Sequence, residues 1–247
     1  MAEERSLPDA DKTAGLTGEG LSLIYLRLCS FGGYNAGIGY WGLGRDRCGF
    51  GDTLAARGEV VGLSRSGDGL DVTDEASVAR VLGGVSGPFD LVMIATGALG
   101  VPEKSLRALS GQAMLAQFAV NAVGPALIIK HLLPLLPKDR ETRVGVLSAR
   151  VGSIGDNALG GWYSYRAAKA ALNQVVHTAA IEVARSHPLA VLACLHPGKV
   201  ATSFTAGYPG EKDAPGLSAA RLLAVLDGLS PAESGRFYDY AGKIVAW

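Results

Sequence analysis

Beyond Leu54, short apolar runs alternate with longer stretches in which apolar residues recur at helical spacing. Val60–Leu63, Asp90–Ala95, Arg143–Ser148 and Ala190–Leu195 are brief, rich in Val and Leu, and do not alternate in polarity. Such runs are buried on both faces, as in a parallel sheet. Leu21–Phe31 is also strand-like. Between the runs, Glu75–Val85, Gln112–Leu136 and Tyr163–Ser186 read as helices, the first capped by Thr73 or Asp74. In the last, Ala168, Leu172, Val175, Val176, Ala179 and Val183 form the apolar stripe. A Gly/Pro-rich stretch, Gly207–Gly216, reads as a mobile surface insertion placed to cover a site, ahead of a final helix over Leu217–Leu229. This order predicts an α/β fold: a doubly wound, Rossmann-like parallel sheet with right-handed crossovers, as a single domain over residues 1–247.

Composition narrows the function. The chain of 247 residues suits one domain with a large core. Lys+Arg and Asp+Glu are equal at 23 each, so no net field draws nucleic acid. Cys29, Cys48 and Cys194 are scattered, without metal-ligand spacing or a disulfide framework. A reducing cytoplasm is the expected location. His131, His177, His187 and His196 have no metal spacing either. The acidic, polar amino terminus lacks a signal-peptide pattern. No uninterrupted apolar run reaches the ~18 residues of a membrane helix; Leu127–Leu136 is broken by Lys130, His131 and Pro134. Neither membrane nor nucleic acid is expected as a partner.

In a doubly wound sheet, ligands sit beyond the carboxyl ends of the strands. After Arg143–Ser148 comes a loop and then Tyr165-Arg166-Ala167-Ala168-Lys169. Residues four apart share a helix face. A nearby ammonium stabilises a phenolate, so such a tyrosine can exchange a proton with a carbonyl or alcohol oxygen near neutral pH. Alone, the pattern is short and more often describes a surface tyrosine lying on a lysine stem.

Its surroundings change that reading. The helix start YRAAKAALN follows LSARVGSIGDNALGGWYS, and from about Leu54 onward the chain resembles the short-chain dehydrogenase/reductase family, closest to its carbonyl-reductase-like, C-factor-like branch. The resemblance implies hydride transfer between a nicotinamide cofactor and a small carbonyl or alcohol substrate. Tyr165 would be the general acid/base, with Lys169 lowering its pKa and binding the ribose. Asn121, in FAVNAVGP, matches the asparagine that holds a relay water in a kinked helix. Pro197, Gly198, Val200 and Thr202 match the segment that meets the nicotinamide and phosphate; Asp71 and Val72 match the pair flanking adenine; Gly97 remains of the glycine-containing segment after the fourth family strand. Relatives are often dimers or tetramers, so a homodimer or homotetramer is expected.

Three departures stand out. The family serine falls on Ala149, leaving Ser148, one residue early, or Ser153 as substitutes. At the end of the second family strand stands Arg65 rather than an acid, which favours NADP(H) over NAD(H). Gly33, Gly37 and Gly39 fit a phosphate loop on paper, but Gly39 and Gly58 stand too far apart for the family spacing. A shifted reading frame ahead of Asp52 would account for that, as would a genuine insertion. Two functions of different class follow: an NADP(H)-dependent carbonyl reductase or alcohol dehydrogenase, or a dinucleotide-binding signalling protein with little turnover.

Overall fold

The structure is a computed structural model that describes residues 21–27, 49–202, 205 and 209–247. Among these, six strands form one parallel sheet: β1 (Leu21–Arg27), β2 (Gly58–Ser64), β3 (Leu91–Ile94), β4 (Thr142–Leu147), β5 (Ala190–His196) and β6 (Phe237–Asp239). Their spatial order is β2-β1-β3-β4-β5-β6. The order reverses between β1 and β3, so the crevice beyond the carboxyl ends of those strands is the switch point where an open α/β sheet binds ligands. The predicted doubly wound parallel sheet is the fold observed.

Strand alternation builds two cores. Leu91 and Met93 on β3, with Val191, Ala193 and Leu195 on β5, face α1 (Phe50–Ala55) and α7 (Pro215–Asp227). Val92, Ile94, Leu192 and Cys194 point the other way, toward α3 (Glu75–Gly83), α5 (Gly124–Leu132) and α6 (Tyr163–Val183). Both faces are covered, which is why these strands are apolar throughout rather than alternating. Leu172 and Val176 of α6 are fully buried in the second layer. Truncating a leucine at such a site costs about 2–5 kcal/mol. Asp74, rather than Thr73, is the N-cap of α3, its side chain accepting from the Ala76 N–H.

Three elements depart from the sequence reading. Gln112–Leu136 is not one regular helix: α4 (Gly111–Phe118) passes through a π-helical stretch, Ala119–Val123, into α5 and ends in a 3₁₀ turn at Leu133–Leu135. Lys130 and His131 do not interrupt it. Over Gly111–Leu135, with a mean hydropathy of 1.5, it is long and apolar enough to cross a membrane, although Val120, Ile128, Ile129 and Leu132 are spent on the core shared with α3 and α6. A short α2 (Arg65–Asp68) follows β2, capped by Ser64, whose hydroxyl accepts from the Gly67 N–H. Within the Gly207–Gly216 stretch, Asp213 pairs in a β-bridge with Val200, and α7 begins at Pro215 rather than Leu217.

Candidate active site

At the end of β4 the chain alternates faces, as an extended backbone must. The Ser148 hydroxyl is buried and donates to Asn173 Oδ1 at 2.6 Å. Asn173 lies on α6 about two helical turns, roughly 12 Å, past Tyr165. Ala149, extended at φ −146°, therefore turns to the other side. The second candidate, Ser153, is also buried; its hydroxyl accepts from the Asp156 N–H at 3.1 Å and keeps its own proton for donation. After Ala149 a 3₁₀ turn, Arg150–Gly152, presses on α6. A Cβ on Gly152 would stand 2.7 Å from the Lys169 Cβ and 2.8 Å from its carbonyl carbon, so only glycine admits this approach.

α6 carries Tyr165 and Lys169 on its buried face, together with Ala168, Leu172 and Asn173. The chain enters the helix through Gly160, Gly161 and Trp162, with φ of 63°, 64° and 56°. A non-glycine residue in the left-handed region costs roughly 1–3 kcal/mol and persists only where its surroundings hold it. The Trp162 ring stands edge-on to the Tyr165 ring with centroids 6.3 Å apart. Arg166 fastens the same turn, donating from Nε to the Gly161 carbonyl at 3.0 Å and from Nη1 to the Val151 carbonyl at 3.1 Å.

The Lys169 ammonium lies 5.9 Å from the Tyr165 ring centroid and donates to the Leu147 carbonyl at 3.0 Å. Burial pushes its pKa down to about 8, although the nearby Cys194 thiol works the other way. Cys194 itself is driven up to about 12 by burial, against the Lys169 charge, and is an inert thiol at neutral pH. Asn121 sits in the π-helical stretch, 0% exposed. Such bulges widen a helix locally and recur at functional sites. The Asn121 amide pairs with both main-chain groups of Ala98: Oδ1 accepts from N–H at 3.1 Å and Nδ2 donates to C=O at 2.8 Å. Next to it, Gly97 leaves an opening shared by two functional groups. A Cβ there would stand 3.1 Å from Asn121 Oδ1 and 3.5 Å from Lys169 Nζ. Tyr165, Lys169 and Asn121 thus converge beyond the carboxyl ends of β3 and β4.

The residues proposed for a dinucleotide lie along the same edge. Arg65 follows β2 and its guanidinium pairs with Asp71 at 3.1 Å. Burial opposes ionisation of Asp71, but two hydrogen bonds from Thr73 and the Arg65 charge outweigh it and hold the carboxyl below its usual range. Val72 is fully buried; a Cβ on Gly124 would come within 2.8 Å of its methyl group, so its side chain is committed to α5 and only its main chain can face a cofactor. Pro197 and Gly198 follow β5, with Gly198 at φ 75°. The hydroxyls of Thr96 and Thr202 are buried without a hydrogen-bond partner among the described residues. Buried hydroxyls are seldom left so; Thr96 follows β3 and Thr202 follows β5 at the same edge of the sheet, and a polar cofactor along that edge would satisfy them. The residues present therefore fit a dinucleotide at its adenosine and nicotinamide ends. Gly33, Gly37 and Gly39 lie outside the described residues.

On the far side of Ala149, Arg150, His196, Gly198, Lys199 and Tyr240 line an open cleft. Arg150 is held by Asp239 at 3.0 Å. His196 has its pKa pushed down to about 4 by burial and by the Arg150 charge, against the pull of Asp239. A neutral imidazole of that kind is no proton donor at pH 7. On the same edge, Lys169 has a pKa close to neutrality and lies against the Tyr165 ring. Three contributors escaped the sequence reading: Asn173, which occupies Ser148; Gly152, which seats Lys169; and Glu103, whose buried carboxylate meets Ser164 at the start of α6. The glycine of the LSARVGSI stretch could have pointed to Gly152, and nothing in the sequence pointed to Glu103.

Comparison with known proteins agrees with this fold. A family described as enoyl-(acyl carrier protein) reductase matches residues 55–228. The 1-hydroxy-2-glutathionyl-2-methyl-3-butene dehydrogenase of Rhodococcus is 35% identical over 72% of this chain and 79% of its own length. The C-signal protein of Myxococcus xanthus is 36% identical over 66% of this chain and 95% of its own. The NADPH-bound carbonyl reductase from chicken fatty liver superposes with a TM-score of 0.64 at 26% identity, covering 79% of this chain and 81% of that one. The chain belongs to the short-chain dehydrogenase/reductase family of nicotinamide-dependent oxidoreductases.

Proposed function

We propose that this protein interconverts a small carbonyl compound and its alcohol with NADP(H), using Tyr165 as general acid/base. One observation carries the reading: a buried lysine ammonium beside the Tyr165 ring, facing Asn121 across the opening at Gly97. The nicotinamide supplies the hydride. Tyr165 gives its proton to the carbonyl oxygen during reduction and takes it back during oxidation. Lys169 stabilises the phenolate so formed, more strongly than it would in water because both groups are buried. Asn121 fixes the loop after β3 through Ala98 and keeps the Gly97 opening clear. Arg65 favours a 2′-phosphate, which supports NADP(H), as does the NADPH held by the chicken carbonyl reductase.

With Ala149 in place of a hydroxyl donor, and the Ser148 hydroxyl donating to Asn173, Tyr165 works without a second donor at that position. Loss of one such donor costs about 3 kcal/mol of barrier, or a factor of about 100 in rate. The enzyme is slow rather than inert. The same absence favours a second reading, in which the protein binds a dinucleotide and acts in signalling with little turnover; its similarity to the C-signal protein of Myxococcus xanthus stands beside that reading. Fluorescence titration with NADPH and NADH, followed by loss of reduced-nicotinamide absorbance with a panel of aldehydes and ketones, separates the two. Turnover that disappears in Tyr165→Phe supports the enzyme. Tight binding with no turnover in either form supports the second reading.

A further inference from the structure

The helix that carries Tyr165 and Lys169 has no cap of its own. Its N-cap residue, Trp162, makes no side-chain capping hydrogen bond, so the first-turn N–H groups must be satisfied from elsewhere. Glu103, in the loop after β3, does this. Its carboxylate accepts from the Ser164 N–H at 3.3 Å and from the Ser164 hydroxyl. Its main-chain carbonyl accepts from the Trp162 N–H at 2.6 Å. One residue thus grips α6 at two points just before Tyr165, and holds Trp162 in its left-handed conformation.

Glu103 is 7% exposed, and no lysine or arginine forms an ion pair with it among the described residues. A buried carboxylate without a cation is costly unless donors converge on it. Here the donors are the start of a 21-residue helix, whose terminus carries partial positive charge. The approach is tight: a Cβ on Gly161 would stand 3.3 Å from the Glu103 carbonyl oxygen. The same loop holds Asn121 five residues earlier, through Ala98. It therefore acts as a strap, with Asn121 fastened at one end and the entry to α6 at the other.

We infer that Glu103 is a positioning residue for Tyr165, setting through Trp162 and Ser164 where the phenol stands relative to Lys169 and Asn121. This rests on the acid/base role proposed above for Tyr165. The test compares Glu103→Ala and Glu103→Gln with the wild type. In Glu103→Ala, kcat falls about 10- to 100-fold, the scale of a misplacement near 1 Å, the KM for NADPH changes little, and the pH limb of kcat moves. Glu103→Gln, which keeps an acceptor for the Ser164 N–H, recovers most of kcat. The inference is overturned if the loss of kcat in Glu103→Ala equals the loss of folded protein measured by thermal melting and the pH limb stays put, or if Gln is as impaired as Ala. Should the wild type show no turnover that depends on Tyr165, the proposed function fails, and Glu103 is then judged by ultraviolet difference titration of the Tyr165 phenol against Tyr165→Phe. A shifted titration in Glu103→Ala supports the positioning role; an unshifted one overturns it.

Discussion

Ser148 and Asn173 are joined by a 2.6 Å hydrogen bond between two buried side chains. That bond fixes which way the end of β4 faces. It commits the Ser148 hydroxyl to the flank of α6 and leaves the small methyl of Ala149 on the opposite side. The missing donor can therefore be restored without disturbing the core. Ala149→Ser raises kcat by about 100-fold, the reverse of the cost of losing one such donor. Steady-state rates of NADPH oxidation check this, and Ser148→Ala should lower stability more than it lowers kcat.

Lys169 stores destabilisation. Its folded pKa, about 8, lies below its ordinary value of 10.5. Between those values the unfolded chain holds a proton that the folded chain has released, so stability rises with pH through that window and is lower everywhere beneath it. The difference is on the order of 3 kcal/mol. Lys169→Met, which removes the buried charge, raises the melting temperature of the cofactor-free protein at pH 7 by several degrees and brings no such gain near pH 10.5. Calorimetry at the two pH values measures it. A variant that melts lower than wild type at pH 7 would contradict the account of that burial.

The same titration shapes catalysis. Below pH 8 Lys169 is charged and supports the phenolate. As pH rises through about 8 the ammonium is lost, and the rate of carbonyl reduction falls on that limb. Replacing Lys169 by Met removes the limb along with most of the rate, as a pH profile of kcat will show.

Much of this site could be read from the sequence. The apolar runs gave β2 to β5 within one or two residues, because strands buried on both faces leave an unbroken Val/Leu signature. Tyr165, Lys169 and Asn121 were legible as spaced motifs. β6 was missed because three residues, Phe237–Asp239, carry no period of their own. The π-helical turn around Asn121 leaves the apolar pattern intact and shifts only its phase. Glu103 and Asn173 act through contacts with residues 61 and 25 positions away, which no local pattern encodes. The resemblance that begins near Leu54 agrees with a family match that begins at residue 55, while β1, ahead of that point, still pairs in parallel with β2 and β3 where a first strand belongs.

Arg65 and Asp71 bear on cofactor choice together. A carboxylate 3.1 Å from the guanidinium competes with a 2′-phosphate for it. Arg65→Ala raises the dissociation constant for NADPH by about tenfold or more, consistent with losing a charge-assisted contact of about 1.5–3 kcal/mol, and leaves that for NADH nearly unchanged. Asp71→Asn weakens the competing pair and shifts preference toward NADPH. Fluorescence titrations with both cofactors check the two variants.

The most direct test of the central claim is NADPH oxidation by Tyr165→Phe against wild type, on any carbonyl compound that the wild type turns over. Phenylalanine keeps the ring between Trp162 and Lys169 and removes only the ionisable oxygen. The account predicts unchanged NADPH binding and a kcat lowered by about 100-fold or more, the usual scale of general acid catalysis. A variant that binds NADPH and reduces the substrate at the wild-type rate would contradict it.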